Sequence, residues 1–177
     1  MPSNIEIKAR IASVEALLPL ARALADDAHA QLIQQDDSFF AVPHGRLKLR
    51  VFGDGSGELI HYHRADASGP KRSDYVRVPV PDPESLREAL DRACGLLGRV
   101  RKERILVLIG AIRVHLDRVA GLGDFLELEV VLREGQDEAE GHAEAQALML
   151  RLGLLPEQLV QGAYLDLLRQ QAAAAPA

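Results

Sequence analysis

Apolar and polar positions alternate with period two over much of this chain. In residues 4–10, "NIEIKAR", Ile5, Ile7 and Ala9 fall on one side, and Asn4, Glu6, Lys8 and Arg10 on the other. That is the pattern of a strand with one apolar face. "GRLKLRVF" at 45–52 repeats it, with Leu47, Leu49 and Val51 against Arg46, Lys48 and Arg50. "GDGSG" at 53–57 is a turn signal, so residues 58–64 are predicted to return as a hairpin partner. Further strands are predicted over 29–42, 72–80, 98–110, 111–119 and 124–132. Helical spacing takes over in between. Ser13 is placed to cap a helix over 13–28, with Val14, Leu17, Leu18 and Leu24 on one stripe and Pro19 positioned to kink it. Pro83 opens a helix over 83–94, Gly153 ends one over 136–153, and a shorter one follows at 162–171.

The order β–α–βββ–β–α–βββ–α–α, with mostly short connections, predicts an α+β fold. Its centre is an antiparallel sheet of about eight strands that curls or closes into a barrel, with flanking helices. A single domain is predicted over residues 1–170, with a disordered tail at 171–177.

The charged faces of these strands carry the candidate chemistry. Besides Glu6, Lys8 and Arg10, they contribute Arg46, Lys48 and Arg50, then Arg64, then Arg72 with Asp74. Later strands add Lys102 and Arg104, then Arg113, His115 and Asp117, and last Glu127 and Glu129. Each face alone reads most simply as a solvated exterior. Together they read differently. The opposite residues (Leu47, Leu49, Ile105, Val107, Leu126, Leu128) are large and need burial under the helices, which turns the charges into the barrel if the sheet closes. The signs also segregate by strand, "ELE" acidic and "KLR" basic, where mere solubility would intersperse them. A barrel lined with Arg and Lys demands an anionic ligand, because unpaired interior cations repel one another and lose hydration. Arg grips phosphate oxygens in pairs and Lys supplies a point charge. The acids fit the same picture if they hold a hard divalent cation that bridges phosphates. Glu6, Asp117, Glu127 and Glu129 are the candidate metal cluster.

Composition narrows the classes. The chain has 177 residues, 47% hydrophobic, a net charge of −5 and one cysteine, Cys94. An acidic chain with only 4% aromatics is a poor nucleic-acid binder or base-stacking platform. No run approaches the roughly 18 apolar residues of a membrane span. The charged start lacks a secretory signal's apolar stretch, and one cysteine permits no internal disulfide, so a cytoplasmic setting is expected.

The segments "NIEIKAR", "GRLKLR", "KRSDY", "RKER" and above all "HLDRVAGLGDFLELEV" resemble the CYTH superfamily, the triphosphate tunnel proteins. The likeness runs from Asn4 to about Leu168, and its appearance is nearest the class IV adenylyl cyclases. It implies catalytic roles for Glu6, Lys8, Lys102 and Asp117. It implies phosphate contacts from Lys8, Arg10, Lys48 and Arg50, from Arg64, Arg72, Lys102 and Arg104, and from Arg113. It implies Mg²⁺ or Mn²⁺ on Glu6, Asp117, Glu127 and Glu129, and a packing role for Tyr164. Asn4 departs from the family's E-x-E-x-K motif, where an acid is expected, and brings no charge to a metal. Glu103 interrupts the basic run but has outward parity. His61 and His63 fall opposite Arg64 and read as surface or under-helix residues; His115 shares the face of Asp117 and is the better site candidate.

The expected function is a metal-dependent enzyme on a small-molecule triphosphate, of the class IV cyclase kind, making cyclic AMP and pyrophosphate from ATP. The competing readings are a triphosphatase on tripolyphosphate or thiamine triphosphate, a non-catalytic polyphosphate or nucleotide binder, and a salt-bridged barrel without a ligand. Neither a nucleic-acid polymer nor a membrane is an expected partner, and a homodimer is compatible with the sequence.

Overall fold

The structure is a computed structural model that describes residues 3–27, 29–64 and 71–174. The elements follow in the order β1 (Ser3–Arg10), α1 (Val14–Leu24), β2 (Ala30–Phe40), β3 (Arg46–Phe52), β4 (Gly57–Arg64) and β5 (Lys71–Val80). Then come α2 (Pro83–Cys94), β6 (Leu96–Ile109), β7 (Ile112–Val119), β8 (Gly123–Val131), α3 (Glu138–Arg151), a 3₁₀ turn at Pro156–Gln158 and α4 (Tyr164–Ala174). The eight strands close into an antiparallel barrel in the order β1-β5-β4-β3-β2-β6-β7-β8. The predicted sheet therefore closes fully. β1 completes it by pairing with β5 on one side and β8 on the other.

Period two sets the two faces of the wall. Ile5, Ile7, Val114, Leu116, Leu126 and Leu128 point outward and are buried under helices, together with Ala145, Leu148 and Met149 of α3 and Val14 and Ala21 of α1. α2 packs outside β2 and β3. The outer face of β4 and β5 has no such helix, so His61 and His63 are exposed and Val76 and Val78 half-exposed, as expected for the two histidines. A second apolar cluster lies inside one end of the barrel, where Phe39, Ile60, Tyr62, Val100 and Phe125 meet Tyr164 and Leu165 of α4. α4 thus plugs that end. Gly98 makes room for it: a Cβ there would stand 2.7 Å from the Leu165 side chain. No described helix is long and apolar enough to cross a membrane.

The caps act where the sequence places them. Ser13 Oγ accepts the Ala16 N–H at 3.1 Å, and Asp82 accepts that of Ser85 ahead of the Pro83 turn. Gly153, at φ +70°, turns α3 off while the amides of Gly153 and Leu154 satisfy the carbonyls of Leu150 and Met149. Two boundaries differ from expectation. α1 stops at Leu24, because Asp26 and Asp27 spend their carboxylates on loop amides, those of Gly110 and His29. α4 continues to Ala174, through alanines that the tail assignment covered; alanine is the strongest helix former. Residues 175–177 of that predicted tail lie outside the described residues.

Leu128 is fully buried between the wall and α3. Leu128→Ala is expected to cost about 2–5 kcal/mol, read as a lowered urea midpoint at unchanged m-value.

Candidate active site: an ion-lined tunnel

Strand register gathers the charges. Glu6 stands opposite Glu129 and Lys8 opposite Glu127 between β1 and β8. Arg113 and His115 on β7 stand opposite those same two glutamates. Arg104 on β6 is opposite Asp117 on β7, and Asp37 on β2 is opposite Arg50 on β3. The space they enclose has a volume of about 420 Å³. Among the described residues seven Lys or Arg side chains line it against five Asp or Glu. Asp117 faces inward beneath this lining, against Arg104 and Tyr164, and brings the acids to six, so a positive excess remains for an anion.

The cations are held in place by buried acids. Asp37, 2% exposed, takes Arg50 Nε and Nη2 at 2.7 Å each and Lys48 Nζ at 3.1 Å. Burial alone would raise its pKa; Arg50 and Lys48 outweigh that and hold it well below the usual carboxylate range. Lys48 pays the reverse penalty. Burial, with Arg50 beside it and Lys102 further off, lowers its pKa to about 7, against the pull of Asp37.

Asp117 organises the opposite wall. It accepts Arg104 Nε and Nη2 at 2.6 Å each, Lys102 Nζ at 3.3 Å and the Tyr164 hydroxyl at 2.9 Å. Arg104 Nη2 also reaches Glu127 at 2.5 Å, and Lys8 Nζ reaches it at 3.1 Å. Lys8 donates to the Gly162 carbonyl and lies 4.0 Å over the Tyr164 ring. Tyr164 therefore does more than pack: it ties the plug to the tunnel's ion network.

Around Glu129 the balance is different. Burial, then Glu6, raise its pKa, and its cationic neighbour Arg113 is 3.6 Å away. His115 is held neutral well below the usual histidine range by burial and by Arg104. Its Nδ1 has no hydrogen-bond partner, and neither does the buried Oδ1 of Asn4.

The tunnel thus brings together Glu6, Lys8, Lys48 and Arg50, and with them Lys102, Arg104, Arg113, Glu127 and Glu129. Three sequence expectations are corrected. Arg72 pairs with Ile5 in register, so it shares Ile5's outward face, where it meets Asp74 and Glu138. Ser73, Tyr75 and Arg77 face the tunnel in its stead. Arg10 has inward parity but lies beyond the plug, exposed, against the Phe125 ring and the Leu122 carbonyl. Asp117 faces inward but is fully buried beneath the tunnel lining, its oxygens occupied by Arg104, Lys102 and Tyr164, so it serves as an anchor for cations instead of a metal ligand. The side chain of Arg64 lies outside the described residues. Glu103 points outward and meets Arg118, as its parity predicts. Asp37 and Arg77 were missed; the alternation Gln35, Asp37, Phe39 carried the signal for the first.

A closed barrel with an ionic interior and one plugged end is a tunnel, distinct from barrels packed solid with apolar side chains. The chain belongs to the CYTH domain family, whose model matches residues 3–164. It is 25% identical over 175 residues to the adenylate cyclase CyaB of Aeromonas hydrophila, a match that spans 94% of this chain and 89% of that protein. Its fold superposes on the PH1012 protein of Pyrococcus horikoshii with a TM-score of 0.81 at 25% identity, covering 93% of this chain and 98% of the other. It also superposes on the Pct1 RNA triphosphatase of S. pombe, with a TM-score of 0.52 at 13% identity over 89% and 86% of the two chains. The family includes adenylate cyclases and triphosphatases, enzymes that in general depend on divalent metal.

Two measurements probe the network. Asp117→Ala strips its buried cations of their partner and is expected to cost about 3–5 kcal/mol in chemical denaturation. Metal-free binding of tripolyphosphate, followed by calorimetry, is expected to weaken as pH rises through about 7, where Lys48 sheds its proton. The loss has a limit of about tenfold per pH unit. Lys48→Arg stays charged and should lack this component; equal pH profiles would show that Lys48 does not titrate on binding.

Proposed function

We propose that this protein is a cytoplasmic, metal-dependent enzyme acting on a small-molecule triphosphate held in the tunnel, of the class IV adenylyl cyclase kind. The observation that carries this reading is the convergence of seven cations on one cavity that also has an acidic wall. Lys8, Lys48, Arg50, Lys102, Arg104 and Arg113 would grip the phosphates, with the geometry of Lys48 and Arg50 fixed in advance by Asp37 and that of Lys102 and Arg104 by Asp117. Such preorganisation suits phosphoryl chemistry, which rests on positioning and charge neutralisation.

The acidic wall fits a divalent cation. Glu6, Glu127 and Glu129 crowd like charge together, and two buried donor atoms beside them, Asn4 Oδ1 and His115 Nδ1, lack partners. When bound there, Mg²⁺ or Mn²⁺ would neutralise charge on the phosphates during transfer. In the cyclase reaction the ribose 3′-oxygen bonds to the α-phosphorus, the bond to the bridging oxygen breaks, and pyrophosphate leaves. The hydroxyl proton needs an acceptor, which the acidic wall can supply.

Two observations favour a nucleotide over inorganic tripolyphosphate. One is the match to an adenylate cyclase over most of the chain. The other is the apolar stretch of tunnel lining from Ile33, Phe52 and Leu106, a surface for which a bare polyphosphate has no use. The second reading is a triphosphatase, which the same cations and metal would serve.

Product analysis decides between them. The purified protein is incubated with ATP, tripolyphosphate or thiamine triphosphate, each with Mg²⁺ or Mn²⁺. Cyclic AMP and pyrophosphate from ATP are expected; phosphate release from tripolyphosphate alone would replace the cyclase reading with the triphosphatase one. Binding without turnover would make the protein a carrier. Glu129→Ala is expected to lower kcat/KM at least about a hundredfold and to abolish the response to metal.

A further inference from the structure

His115 occupies an unusual place for an imidazole. It is 5% exposed and faces a tunnel full of charge, yet its Nδ1 makes no hydrogen bond. A buried polar atom left without a partner costs about 1–3 kcal/mol, a penalty that a ligand could remove. The groups around it tell which ligand. Glu127 is its cross-strand partner on β8, and Glu129 Oε1 lies 3.6 Å from Nδ1. One ligand atom from each of His115, Glu127 and Glu129 can be chosen so that all three lie within 4.8 Å of one another. In an octahedral site, neighbouring ligands stand about 3 Å apart and opposite ones about 4.2 Å. These three atoms therefore need only small shifts to share one ion.

The electrostatics agree. An anion is excluded by Glu6, Glu127 and Glu129. A neutral imidazole with its proton on Nε2 presents a lone pair on Nδ1. Glu127 already carries Lys8 and Arg104, whereas Glu129 meets Arg113 at a looser 3.6 Å, beside His115 itself. Glu129 and His115 are thus the better-disposed pair, with Glu127 as the third ligand.

We propose that His115 is itself a metal ligand, binding through Nδ1 beside Glu129 and Glu127, so that this site has a mixed nitrogen–oxygen donor set. The inference rests on the metal-dependent reading above and adds a consequence that an all-carboxylate site would not have. Mg²⁺ takes oxygen ligands and holds its waters, whereas imidazole suits the transition metals. The tunnel should therefore prefer Mn²⁺ or Co²⁺ over Mg²⁺, and His115 should be the reason. It also accounts for the exclusion of Asp117 from the metal: the wall substitutes a neutral nitrogen where that carboxylate is spent on Arg104.

The test is spectroscopic and needs no turnover. Mn²⁺ is titrated into the full-length protein, with and without tripolyphosphate, and bound ion is counted from the loss of the free-ion electron paramagnetic resonance signal. Pulsed measurements on the loaded protein then look for ¹⁴N coupling to the manganese. Coupling is expected, and it should change to the ¹⁵N pattern when histidine alone is labelled. His115 is the one histidine lining the tunnel among the described residues. His115→Gln should abolish the coupling and weaken Mn²⁺ binding at least about tenfold, with Mg²⁺ affinity, from competition, changed less. Labelling keeps the test decisive if that variant does not fold. Bound manganese without nitrogen coupling would overturn the role of His115 and leave a metal-dependent enzyme standing. Failure to bind manganese under either condition would remove both.

Discussion

Everything in this barrel depends on keeping cations charged where water is scarce. A Lys or Arg side chain taken from water loses several kcal/mol of hydration, and that loss is recovered only through close, well-aligned anions. Asp37 and Asp117 supply those anions from two sides of the tunnel. Each lies at 2% exposure or less, and each receives an Arg through paired short hydrogen bonds and a Lys beside it. The carboxylates of this interior thus divide into two kinds. One kind is saturated with cations and fixes the phosphate-gripping groups; the other, around Glu129, is crowded by its own charge.

The distinction has a pH signature of definite sign. Asp37, Asp117 and Glu127 all have pKa values below the ordinary range in the folded chain, in each case because neighbouring cations outweigh burial. Their stabilisation is present above the unfolded carboxylate pKa, near about 4, and is lost as pH falls toward the folded values. Glu129 runs the opposite way, since burial and Glu6 raise it. Lys48 also opposes folding: its penalty is full below about 7 and is relieved as pH rises from there to its ordinary value.

The barrel was legible because its strands obey one rule. Wherever large apolar residues were buried on the outside, as in β1, β3, β7 and β8, the opposite parity pointed into the tunnel, and Glu6, Lys48, Glu127 and Glu129 followed. β5 broke the rule for a physical reason. Its outer face carries Arg72, Asp74, Val76 and Val78 without a helix above it, and its inner face carries Ser73, Tyr75 and Arg77, so neither face is marked by hydrophobicity. Pairing with β1 and β4 fixes that strand's orientation. Asp117 shows another limit. Its parity was right, but whether a buried carboxylate holds metal or guanidinium depends on which cation reaches it, and Arg104 is brought there by the β6–β7 register. Tyr164 belongs to a helix distant in sequence from every strand it touches, so its bond to Asp117 had no local signal at all.

The plug formed by α4 governs traffic. With Tyr164, Leu165 and Phe125 filling one end, the described residues leave the other end of the tunnel as its doorway. Whatever enters with its charged end leading must leave with that end last. A reaction that splits such a molecule strands the deeper fragment behind the shallower one. Departure would then be sequential, the deeper fragment waiting on the shallower one.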